Sequence, residues 1–399
     1  LAYCREKGIR SFDLRFADLS GQWRHVTLPI SALTEAAFDE GFGQSIPLEG
    51  HPGASRHAIL LPQSEANYLD PFTNQPTLIL LASVQDAVTR EESPYDSRHV
   101  AVRAMRFMES TAIGDILSVR CRLPFRLDRP TAEKESKSTT DSFLICGPED
   151  RDFELRCEIA ETAIESGLHV ERHYRGQAAT SEMVLKPSPL IECCDDIMML
   201  RYLTSKSAFK HGYPLSFHHL WASSEWSILR HSESVLVGTA FRGLSDVGLH
   251  ALGGILKHAE IIAAIAIANC DCNVYPWLRT CSDSVVKSVC RVAVASHHPR
   301  ARAIEFLGTP AAGNPYLIHA AILMAVLDGI QNKTSPGPAL DLNPKLAMEN
   351  ESQWQIASLA SDLDRQSLSR SLTDDRDFLI RGEVFSEELL DALQASLTT

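Results

Sequence analysis

Residues 9–30, IRSFDLRFADLSGQWRHVTLPI, alternate apolar and polar side chains around a Ser-Gly step. That period of two predicts a pair of half-buried strands joined as a hairpin. HAILLPQ (57–63) and TLILLASV (77–84) add two short β runs. The period then lengthens. SPYDSRHVAVRAMRFMESTAI (93–113) predicts a helix, with Ser93-Pro94 ahead of an apolar face at Val100, Ala104, Phe107 and Met108. A domain boundary is expected near residue 95, dividing the chain into residues 1–95 and 96–399.

ILSVRCRLPFRLD (116–128) reads as a strand, TAEKESKSTTD (131–141) as an exposed polar loop, and DFELRCEIAETAIESGL (152–168) as an amphipathic helix ended by Gly167. HVERHYRGQAATSEMVLKP (169–187) is extended, and CCDDIMMLRYLTSKSAFKHG (193–212) is helical. One apolar helix is expected over 248–269, strands around 285–294 and 302–307, a helix over 315–330, and a short final helix in SEELLDALQAS. No internal repeat is visible. Strands and helices alternate without the Gly-rich turn of a dinucleotide fold or a phosphate loop, which predicts the α+β class.

Composition narrows the function classes. The 399 residues are 44% hydrophobic and 22% charged, ordinary for a globular chain. A net charge of −13 and the lack of long Lys/Arg runs argue against nucleic acid or an acidic membrane as partner. GGILKHAEIIAAIAIAN (253–269) is interrupted by Lys257, His258 and Glu260, so it reads as a buried helix. The start has no signal-peptide pattern, and the ten cysteines are scattered, with CDC (270–272) lacking a second pair at zinc spacing. Reduced thiols in a cytoplasmic protein are expected.

RAIEFLGTPAAGNPYLIHAAILMAVLDGIQNK (302–333) carries one acid, Glu305, into a Gly/Pro turn and a nearly uncharged helix. Its later part resembles the Asn-Pro-Tyr helix of glutamine synthetases, and ARAIEF resembles that family's strand with a metal-binding Glu. DLRFADLSGQWRHVTLPI and YLDPFTNQPTLILLASV are similar to the family's β-grasp domain, and YDSRHVAVRA to its domain-joining helix. ALGGILKHAEIIAAIAIANCDCNVY and RDFLIRGEVFSEELLDAL also resemble family segments, so the likeness covers nearly the whole chain. The resemblance implies an N-terminal β-grasp domain, a catalytic domain with an antiparallel sheet forming a funnel, and ring homo-oligomers, hexamer or dodecamer, with shared active sites. It also implies ATP-dependent ligation of glutamate and ammonia, with two Mg²⁺ or Mn²⁺ ions organising the phosphates.

Hard dications need several oxygen ligands, and the family supplies five Glu and one His. Its Glu-x-Glu strand corresponds to VRCRLPF (119–125), where no acid is present in either register and Arg120, Cys121 and Arg122 occupy the place of two carboxylates. HYRGQAATSE (173–182) matches a second ligand element with Arg175 and Glu182, and YPLSFHHLW matches a third with His218. Glu305 matches the last ligand. The substrate side departs as well. FGQSI (42–46) lacks the family's loop Asp, Trp277 stands at a substrate Arg, Leu307 at the Arg after the last ligand, and Asp283 is a loose match to the flap Glu. Lys287 and Arg291 are loose equivalents of phosphate-steadying arginines. DLNPKLAMENE lacks the family's regulatory tyrosine.

Glu182, His218 and Glu305 are therefore the remnant ligand set, and no catalytic residue is assigned. A guanidinium keeps its proton and repels a dication, so binding of metal and ATP is doubtful. Arg175 or Arg122 is expected to neutralise Glu182 and Glu305 bidentately. Two readings stay open. One is a pseudoenzyme with a regulatory or structural role, binding a nucleotide, an amino acid or an active homologue. The other is an active ATP-dependent γ-glutamyl, carboxylate–amine ligase with an altered substrate and a reduced metal site.

Overall fold

A computed structural model describes residues 2–47, 54–127, 143–177, 180–240, 243–270, 279–281, 284–286, 290–294, 302–337 and 364–398. The polar stretch 131–141, Trp277, Asp283 and Lys287 lie outside the described residues.

The first sheet contains β1 (Ser11–Ala17), β2 (Trp23–Pro29), β3 (Phe42–Pro47), β4 (Ser55–Leu69) and β5 (Thr77–Asp86), in the order β2-β1-β5-β4-β3. The expected hairpin forms, with Ser11 opposite Pro29 and Ala17 opposite Trp23; β1 also runs parallel to β5. Alternation along β1 sends Phe12, Leu14 and Phe16 into a core with Leu60, Leu78 and Leu80. The intervening Asp13 and Arg15 are buried as well, their face lying against Tyr202 of the helix Leu190–Lys210. Arg15 bonds Asp13 at 2.6 Å and Asp70 at 3.0 Å, and its guanidinium lies 4.1 Å from the Tyr202 ring. Asn314 adds a bond to the Asp18 carbonyl at 2.9 Å.

A nine-stranded sheet organises the rest. Its main strands are β6 (Ile116–Leu127), β7 (Val170–Arg175), β8 (Ser181–Leu185), β9 (Trp221–Arg230), β10 (Cys290–Val294) and β11 (Arg302–Pro310), ordered β10-β11-β9-β6-β8-β7. In β6, Leu117, Val119, Cys121, Leu123 and Phe125 enter the helical core. Period-two geometry then turns Ser118, Arg120, Arg122 and Pro124 to the opposite, site-bearing face.

The longer helices are Ser97–Ser110, Phe153–Glu165, Leu190–Lys210, Asp246–Lys257, Pro315–Gln331, Arg365–Asp374 and Glu387–Thr398. Pro315–Gln331 starts well: Asn314 accepts from Tyr316 N at 3.1 Å and Leu317 N at 3.3 Å, with Pro315 in the first turn. The single helix expected over 248–269 is instead two, Asp246–Lys257 and Ala259–Ile267, bent by 59°. No sequence breaker sits there. His258 occupies the bend, with Nε2 2.9 Å from Asp328 and Nδ1 2.7 Å from Asp375, so tertiary contacts decide the break. The first of the two crosses Pro315–Gln331 so closely that a Cβ on Gly254 would lie 2.1 Å from the Ala325 carbonyl oxygen. Among the described residues no single helix is long and apolar enough to cross a membrane; only the bent pair together reaches that length.

Candidate functional site

β6 is the spine of the site, and strand register decides what joins it. Residues directly opposite on antiparallel strands share a face. Arg120 lies opposite Glu225, which in turn lies opposite Glu305. Arg122 lies opposite Ser223 on one side and Val184 on the other. Glu182 lies between Pro124 and Tyr174. One face therefore carries Arg120, Arg122, Tyr174, Glu182, Ser223, Glu225 and Glu305.

Arg120 is 4% exposed and is shared by two acids. Its Nε is 3.2 Å from Glu171 Oε2, and its Nη1 donates to Glu225 Oε2 at 3.0 Å. Burial pushes the Glu225 carboxyl up; Arg120 opposes that rise and neighbouring Glu305 adds to it. Arg122 donates from Nε to Ser223 Oγ at 3.0 Å and from Nη1 to Glu182 Oε2 at 3.4 Å. Burial would lower its guanidinium, but Glu182, Tyr174 and Glu305 outweigh that and hold it more firmly protonated. Burial also raises the Glu182 carboxyl, against the pull of Arg122 and a hydrogen bond from Thr180 Oγ1 at 3.0 Å. Gly176 makes room: a Cβ there would stand 2.4 Å from Glu182 Oε1.

Two expected site residues are elsewhere. Arg175 lies opposite Ser181, itself opposite Phe125 on the core side of the sheet. It is buried with Nη1 3.7 Å from Asp152 Oδ2, so it does not neutralise Glu182 or Glu305. Strand alternation is the reason, and Tyr174, one residue earlier, takes the position beside Glu182. His218 sits in an exposed turn before β9, its N–H bonded to Ser216 Oγ at 3.1 Å. The pair at i and i+2 that β9 turns toward the arginines is Ser223 and Glu225. Arg122, Arg120, Glu182 and Glu305 do share the site face. Arg291 is opposite Glu305 and Leu307 opposite Ser223 in register; their side chains are outside the described set.

Sequence reading missed Glu171, Tyr174, Ser223 and Glu225. A signal existed for two of them, since WASSEWSIL places Ser223 and Glu225 at period two within a mostly buried strand.

Among the described residues, no three His, Cys, Asp or Glu side chains are grouped to hold a metal ion. Arg120 and Arg122 stand among these carboxylates, and a guanidinium has no lone pair to offer a cation. The donor set thus does not fit two dications.

The family model for the glutamine synthetase catalytic domain matches residues 95–396. The chain belongs to the glutamine synthetase family. It is 30% identical to the glutamine synthetase of Methylococcus capsulatus, over 98% of this chain and 93% of that protein. It is 28% identical to that of Aquifex aeolicus, over 97% and 91%. Two solved structures share the fold: apo GmaS without ligand, TM-score 0.79 at 20% identity, covering 98% of this chain and 93% of that one, and Plasmodium falciparum glutamine synthetase, TM-score 0.78 at 15% identity, covering 98% and 92%. The α+β architecture read from the sequence is the glutamine synthetase architecture.

Proposed function

We propose that this glutamine synthetase family member has exchanged the family's two-cation centre for arginine–glutamate pairs and acts as a regulatory or structural pseudoenzyme. The observation that carries the reading is Arg120, buried between Glu171 and Glu225 on the strand expected to bear metal-binding acids. A fixed guanidinium neutralises the acids permanently and leaves no coordination site for Mg²⁺ or Mn²⁺, and so none for metal-bridged ATP phosphates. Residues 1–95 act as the β-grasp unit and residues 96–399 as the altered catalytic unit. The partners are further copies of the chain in a cytoplasmic ring, hexameric or dodecameric, and an active homologue with which a shared ring could form.

The second reading is an active ATP-dependent carboxylate–amine ligase with an altered substrate and a reduced metal site formed by Glu182 or Glu305. It is favoured by the near full-length match to proteins named glutamine synthetase.

A thermal-shift titration with Mg²⁺ or Mn²⁺, alone and with ATP, separates the two. Ligand bound only to the folded state stabilises by about 2.7 kcal/mol at a hundredfold excess over Kd. The first reading expects no metal-dependent rise in melting temperature and no phosphate release with glutamate and ammonia or other amines. A metal-dependent rise together with phosphate release establishes the ligase.

A further inference from the structure

The helix Leu190–Lys210 carries adjacent buried acids, Asp195 and Asp196, that are served very differently. Asp195 is held by a two-pronged Arg98 contact, 2.9 Å on each oxygen, and by Tyr316 Oη at 2.7 Å. Asp196 accepts from Tyr68 Oη at 3.2 Å, and Tyr68 belongs to β4 of the N-terminal sheet. The contact therefore bridges the two units of the chain. The charged groups around Asp196 are Glu192 and Asp195 on its own helix, both acidic; the nearby Arg98 is turned to Asp195. Tyr68 is the group facing it from the N-terminal sheet, and burial, reinforced by Asp195 and Asp196, pushes that phenol well up, so it stays a donor.

We propose that Asp196 and Tyr68 form a proton-operated joint: with Asp196 protonated the N-terminal sheet is held closely on the helix Leu190–Lys210, and ionisation of Asp196 loosens it. Among the described residues no cation faces Asp196, and a buried carboxylate with two acidic neighbours is stable as the neutral acid. Opening the joint lets water solvate the charge, so ionisation favours the open arrangement. Burial, with Glu192 and Asp195 adding and Tyr68 opposing, raises the Asp196 carboxyl from 3.8 to about 7. The closed joint then binds one proton more than the open one between those values. Its stability falls as pH rises through that window and is constant above about 7. This inference is independent of whether the funnel retains catalysis.

The test is amide hydrogen exchange of the full chain between about pH 5 and 9, corrected for the intrinsic pH dependence of exchange. Opening of β4 and of Leu190–Lys210 is expected to rise by about tenfold per pH unit up to about pH 7 and then level off. Asp196→Asn has no proton to lose and should give a flat profile. Tyr68→Phe removes the hydroxyl that favours the ionised acid, so its levelling point should move to higher pH. This second variant retains the half-buried ring and covers the case in which Asp196→Asn does not fold. A flat wild-type profile, a wild-type slope retained in Asp196→Asn, or an unmoved levelling point in Tyr68→Phe each overturns the joint.

Discussion

Arg120→Ala is expected to cost about 3–5 kcal/mol of folding stability, read from chemical denaturation at pH 7. The guanidinium is buried between Glu171 and Glu225, and removing it strands carboxylates in a site where burial already raises Glu225. Glu171 keeps a pairing with Arg172 near the surface; Glu225 faces Glu305 across the strand pair. The loss comes from the charge left behind, so Arg120→Met combined with Glu225→Leu should recover most of it. The same logic extends to metal. Arg120→Glu with Arg122→Glu places two acids beside Glu182, Glu225 and Glu305, and in chelator this variant should be less stable than Arg120→Ala. Saturating Mn²⁺ should then raise its melting temperature while leaving the wild type unmoved. If Mn²⁺ shifts the wild type as much as the double variant, the arginines are not substitutes for cations.

Asp328→Ala is the second large effect, also about 3–5 kcal/mol in denaturation at pH 7. Asp328 is buried in Pro315–Gln331 and receives His258 Nε2 at 2.9 Å, Lys257 Nζ at 3.1 Å, Arg381 Nη1 at 2.8 Å and Asn332 Nδ2 at 2.8 Å. These partners come from the bend between two helices and from the C-terminal region, so one carboxylate ties three parts of the chain together. Burial alone would raise its carboxyl, but the hydrogen bonds from His258 and Lys257 outweigh burial and hold it below 3.8. An acid whose folded value is depressed contributes stability that is present above 3.8 and lost as pH falls through the lowered value. Wild type should therefore lose stability on acidification below that point more steeply than Asp328→Ala. Equal acid sensitivity in the two would mean that the Asp328 carboxylate does not hold these elements together.

The contrast between these two clusters explains what sequence reading reached. The Arg-Cys-Arg triplet at 120–122 was legible because alternation alone puts both arginines on one face of a strand and Cys121 on the other. The helix 315–331 was legible because Asn314-Pro315 is a strong start signal and its apolar residues continue on every side. His258 was not legible as a bend. Nothing local distinguishes it, and its two carboxylate partners lie 70 and 117 residues away.

The chain's order of residues by itself determined the alternation within each strand, the Asn314-Pro315 helix start, the family and the intrusion of arginines where acids were expected, since each depends on local period or motif. Tertiary structure alone decided which acid meets which arginine. Arg175 and Tyr174 are neighbours in sequence, yet β7–β8 pairing sends Tyr174 to Glu182 and Arg175 to Asp152. Glu225, absent from any motif match, became the partner of Arg120 because β9 pairs with β6 in that register. Register is a long-range choice with a period of two, and a one-residue slip carries every side chain to the other face of the sheet.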